Sequence, residues 1–209
     1  MFGLGRAEPF DRDATLRRAE EFRSRRKPKK AITELRKVLA VDPRDAVAHA
    51  KLAPLLVSAG RGTEALESLR IAADDLDARG FSDKALSLWL QIAQTKVNDL
   101  DAWEKVSQFH VARGRKADGV KVLLQAAAVQ RDPSLGVRLL EDALVFEPKH
   151  LEVTLSLAPL LVKVKRREDA RELLEQALTF AAGAATRRVR KTLFVLFPGF
   201  GTLWRWLRA

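Results

Sequence analysis

The stretch VLAVDPRDAVAHAKLAPLLVSAGRGTEALESLRIA, residues 38–72, returns as ALVFEPKHLEVTLSLAPLLVKVKRREDARELLEQA at 143–177, an offset of 105 residues with 13 identities in 35 positions. LAPLLV is kept whole. In both copies apolar residues recur three and four apart on either side of a short polar turn, the pattern of two amphipathic helices. A single pair of that kind cannot bury its own apolar face, so pairs must stack on one another.

Outward from the two copies, the same spacing runs from about residue 12 to 182. Breaks fall at Pro43, Gly60, Gly80, Gly114, Pro133 and Pro148. This predicts about eleven or twelve helices of roughly 12–18 residues, joined by short connections. Alternation of period two is nowhere sustained. The predicted fold class is all-α. Small residues (Ala53, Ala73, Ser107, Ala158) stand where paired helices must approach, and a second small set (Ala31, Ala65, Ala85, Gly119, Ala170) follows the intra-pair turns. Phe22, Leu56, Leu76 and Leu161 are the large apolar residues expected between partners.

This grammar resembles the tetratricopeptide repeat (TPR) family over about 170 residues. The unit DAWEKVSQFHVARGRKADGVKVLLQAA carries it best: Trp103 in the aromatic slot, Ser107 in the small slot, His110 in the large slot and Gly114 at the turn. Pro43 and Pro148 take the repeat-ending position. The resemblance implies a right-handed αα-superhelix of about five helix pairs. Ala65 to Ala85 and Gly119 to Gly136 are shorter steps than the family's period of about 34 residues. Helices over 62–79 and 116–130 are therefore expected to be shared, each closing one pair and opening the next. The expected organisation is an N-terminal extension at 1–11, the helical repeat at 12–183, and a basic, aromatic segment at 184–209.

Composition excludes several chemistries. The 209 residues contain no cysteine and three histidines, leaving no thiolate site, no cysteine nucleophile and little for a metal cage. No phosphate loop, HExxH or GxSxG occurs. His49 and His110 fall at slots that repeat proteins pack between helices. Asp74/Asp75 and Glu141/Asp142 are sequence neighbours whose side chains diverge by ~100° on a helix. No catalytic, cofactor or metal residue is expected. The start MFGLGRAEPFDRD lacks a secretory core, and no apolar stretch reaches the ~20 residues of a membrane span.

The net charge of +11 sits at the ends. Residues 1–30 hold ten bases and five acids, 184–209 hold six bases and no acid, and the remainder balances at 22 of each. A basic track for nucleic acid is not indicated. The Arg-rich, Cys- and Tyr-free composition suggests a bacterial source.

In the TPR family the first helix of each pair lines a groove that takes a peptide or a helix. Carried over, that groove has one apolar pad at Val47, Ala50, Pro54 and Val57 and a second at Leu155, Pro159 and Val162. Between them lie Arg70, Asp74, Asp77, Asp101, Glu104 and Gln108, an acidic middle. The Lys and Asn of the family's carboxylate clamp are missing, which argues against chaperone tails. A solvated face without a ligand explains the same pattern. Pro54 and Pro159 lie inside helices, where proline removes one hydrogen bond at a cost of about 3 kcal/mol. The freed carbonyls of Ala50 and Leu155 either receive a peptide backbone or accompany a kink.

The C-terminal stretch sets Arg187, Arg188, Arg190 and Lys191 before Phe194 and Phe197, then resumes after Pro198-Gly199 with Trp204 and Trp206. Cations beside indoles and phenyl rings suit an anionic membrane surface. The same segment also suits a cap on the last helix pair or a docking piece for a protein. The expected function is a cytoplasmic adaptor holding a partner peptide or helix. The alternative is a structural or membrane-associated subunit that acts through its tail, peripheral at the inner face of the membrane.

Overall fold

The computed structural model describes residues 10–199. Eleven helices follow one another in this span: α1 (Arg12–Ser24), α2 (Pro28–Val41), α3 (Ala46–Ser58), α4 (Gly62–Ala78), α5 (Ser82–Thr95), α6 (Leu100–Ala112), α7 (Lys116–Ala128), α8 (Pro133–Phe146), α9 (Leu151–Lys163), α10 (Arg167–Phe180) and α11 (Ala184–Leu196). No strand occurs among the described residues. The chain divides into two compact units, Met1–Ile92 and Ala93–Ala209.

Local chemistry sets the helix starts. Asp11, Asp45, Asp99 and Asp132 cap α1, α3, α6 and α8, their carboxylates accepting from the backbone N–H groups of Ala14, Ala48, Ala102 and Ser134. Pro28 and Pro133 open α2 and α8, where a missing N–H costs nothing. Asp45 does double duty. Burial pushes its carboxyl up, yet the guanidinium of Arg12 and the α3 amides outweigh that and hold it below the ordinary value.

The 105-residue repeat is reproduced down to its turns. After α3 the N–H of Arg61 donates to the Leu56 carbonyl at 2.8 Å, and after α9 the N–H of Arg166 donates to the Leu161 carbonyl at 2.8 Å. Both turns need a residue in the left-handed region. Gly60 takes it with φ 73° in the first, and Lys165 with φ 66° in the second, without glycine's freedom.

In the first unit, α1 packs on α2, α2 on α3, and α3 on α4. Ala31, Ala53, Ala65, Ala72 and Ala73 are sealed there beside Leu35, Leu52, Leu56 and Leu69. In the second unit every helix from α6 to α11 packs on its successor, and α7 packs on both α6 and α8. Its core gathers Val120, Leu123, Leu139, Leu140, Val153, Leu157 and Leu174. At Gly119 α6 and α7 approach closely: a Cβ there would stand 2.8 Å from Val111 Cγ2 and 3.0 Å from the Ser107 carbonyl oxygen. The buried Ser107 hydroxyl donates to the Gly119 carbonyl at 2.9 Å, closing the contact.

Candidate functional site

Three features stand out, one on the first unit and two on the second. On α3, the inward residues Ala48, Leu52, Ala53, Leu55 and Leu56 are buried, whereas Val47 and Val57 are 43% and 60% exposed. Pro54 between them is also exposed and Ala50 is half-buried, so the expected apolar pad is a continuous row facing water. Pro54 lies within α3, and its ring nitrogen has no hydrogen to give the Ala50 carbonyl. On α4, Asp74 and Asp77 are exposed. Arg70 is half-buried, its guanidinium 5.8 Å from the ring centre of Trp89 on α5. Arg70 is thus spent partly on an aromatic neighbour, which the sequence did not signal.

On the second unit a cleft of about 240 Å³ opens between α6 and α8, lined by Glu104, Gln108, Leu123, Asp142, Val145 and Phe146. Glu104 and Asp142 both line it, close enough for each carboxyl to act on the other. Burial pushes the Glu104 carboxyl up, and the charge of Asp142 pushes it further. Burial also raises Asp142, more than its hydrogen bond with Glu104 and the charge of Arg138 lower it. Arg138 reaches Glu104 only at 3.9 Å. Asp101, one turn earlier on α6, is exposed. Of the expected acidic middle, the α6 residues Glu104 and Gln108 line a real cleft.

At the other end of this unit, Leu155, Pro159 and Val162 on α9 are half-buried. Leu155 and Val162 pack against the core, so the second copy of the apolar row faces water less than the first. Next to it, Arg188 of α11 grips Glu152 with both guanidinium nitrogens, the second at 2.7 Å, and holds the Glu152 carboxyl below its usual range. α11 lies on α9 and α10 with Val189, Leu193 and Phe197 inside the core. Phe197 corrects the expectation of a free docking ring. It is 5% exposed, with the guanidiniums of Arg167 and Arg171 at 5.3 and 4.9 Å from its ring centre. Phe194 and Arg190 are half-buried, and Arg187 and Lys191 are exposed. Trp204 and Trp206 lie outside the described residues.

Ala31, Ala53, Ala65, Ala73, Ala85, Ser107, Ala158 and Ala170 are all buried to within about one per cent, at the positions where a helix-pair repeat needs small side chains. Trp103 donates from its indole to the Val97 carbonyl at 2.9 Å. This spacing of small residues resembles that of the tetratricopeptide repeat.

No family model and no curated protein matches the chain. Among solved structures it is similar to PilF of Pseudomonas aeruginosa (18% identity over 94% of this chain and 96% of that one, TM-score 0.29). It is also similar to a thermophilic TPR protein of Thermus thermophilus (22%, 95% and 87%, TM-score 0.29) and to MamA of Desulfovibrio magneticus (12%, 83% and 96%, TM-score 0.30). Identities and scores this low carry neither a partner nor an activity across to this chain.

Two of the three histidines hold local structure. His49 is buried with Nε2 3.0 Å from the Pro43 carbonyl, and His150 caps α9 through Nδ1. Among the described residues no three His, Asp or Glu side chains converge on a metal position. Asp142, Val145 and Phe146 were missed in the sequence. Glu141 and Asp142 diverge on α8, and the carboxyl that Asp142 faces is that of Glu104, one helix pair away. Helical rows Asp101–Glu104–Gln108 and Arg138–Asp142–Val145 are visible in the sequence. Only the register of α6 against α8 brings them together.

Proposed function

We propose that the protein is an interaction scaffold that holds a partner peptide or helix on the exposed faces of its helices. The observation that supports this most is the α3 row. A folded chain gains nothing from leaving Val47, Pro54 and Val57 in water on a helix that buries six other apolar side chains. The row offers purchase to apolar side chains, and the Ala50 carbonyl freed by Pro54 offers an acceptor to a backbone N–H. In the second unit the α6–α8 cleft adds a polar contact. The test is display selection of peptides on the full chain, followed by titration of the winners. Val57→Glu is expected to weaken them tenfold or more, the loss of about 1.5–3 kcal/mol of apolar burial, while leaving the melting temperature in place. Pro54→Ala is expected to weaken them while stabilising the fold. Peptides that bind both variants as well as the parent would overturn this reading.

The outer row of α11 supports a second contact. Arg187, Lys191 and Val195 are exposed on one side of that helix, a basic edge suited to an anionic lipid surface and worth about 1 kcal/mol per cation there. The full chain is expected to co-sediment with phosphatidylserine vesicles, and Arg187→Glu with Lys191→Glu to abolish it. Equal pelleting of parent and variant sinks this contact.

A further inference from the structure

We propose that Glu104 and Asp142 form a proton-operated clasp across the α6–α8 cleft: one shared proton draws the two helices together, and its loss leaves two like charges that part them. The cleft stands on geometry. α6 and α8 both pack on α7 and touch each other directly, so a change between them is a small slide of helices over a common support. The two carboxyls sit at the contact, in a space with Leu123 as the contribution of α7 and Val145 and Phe146 as that of α8.

The charges around the pair favour a single proton. Asp101 on α6 and Glu141 on α8 add negative potential, and Arg138 on α8 is the cation that faces the pair, at 3.9 Å from Glu104. Glu141 is itself engaged by Arg166 at 2.7 Å, and α7 places no charged side chain in the cleft lining. With a proton between them, Glu104 donates to Asp142 and the pair carries one charge. Without it, two charges share a partly dry space with one distant cation.

Both folded-state values lie above the ordinary ones. The native state therefore binds more protons than the unfolded chain, and stability falls as pH rises through the folded values. The clasp goes beyond the scaffold reading and needs no partner to be tested. Because the chain has no cysteine, Ala112→Cys at the end of α6 and Lys149→Cys after α8 give two unique spin-label positions on the full chain. Between about pH 4 and 8 the label distance is expected to lengthen by about 1–2 Å, the scale of a helix shift. Glu104→Gln keeps a donor for Asp142 at every pH, so its distance should stay short and its melting temperature should lose the parent's decline with pH. Asp142→Asn serves as the second variant and should flatten both responses equally. A parent distance that ignores pH, or a variant that keeps the parent's response, overturns the clasp.

Discussion

Val189→Asp is expected to unfold the second unit's C-terminal end, at a cost of about 3–5 kcal/mol for a buried charge with no partner. Val189 is the fully buried residue of α11, and it meets the core with Leu193 and Phe197. A chain ending at Gly183 loses all three side chains. At about 1.5–3 kcal/mol each, that is about 4.5–9 kcal/mol as an upper figure, and it removes the helix packed on α10. Val195→Asp, on the same helix but 65% exposed, is the control and should stay within about 0.5 kcal/mol of the parent. Thermal melts followed by circular dichroism decide the matter. If Val189→Asp and Val195→Asp melt alike, α11 does not cap the unit.

Gly119→Leu should be nearly as damaging, at about 3 kcal/mol or more for overpacking. The first atom of any side chain at 119 meets the branched end of Val111 and the carbonyl of Ser107, and the backbone of α6 cannot turn aside. The Ser107–Gly119 hydrogen bond would be stretched with it. Gly136→Ala is the informative contrast. There a Cβ meets the tip of Leu160 at 2.9 Å, a flexible side chain that can rotate, and alanine's better helix propensity returns about 1 kcal/mol. Denaturant melts should show Gly119→Leu strongly destabilised and Gly136→Ala near the parent. Equal losses would place the tight helix contact elsewhere.

Why were the helices and the small-residue slots legible while the cleft was not? Helical spacing, Asp caps and buried alanines are local or near-local properties, and the 105-residue copy repeats them with its turns. Pro54 and Val57 could be placed on an outer face because their inward neighbours are unmistakably apolar. The Glu104–Asp142 contact depends on how far α8 slides along α7, which no local pattern fixes. Phe197 failed for a related reason. Its basic flank reads as a membrane signature, but Arg167 and Arg171, which cover its ring, stand 30 and 26 residues before it in the chain. Lys165 in the left-handed turn shows the opposite case, where the repeat predicted a turn that its own residue disfavours.

One measurement bears most directly on the scaffold proposal: nuclear magnetic resonance titration of the labelled full chain with a display-selected peptide. Expected are shifts concentrated at Val47, Ala50 and Val57 on α3, or at Glu104 and Gln108 around the cleft, that saturate with the peptide's affinity. Shifts confined to the outward sides of α2 and α10, or no saturable shift at all, would contradict the proposal that these helix faces hold a partner.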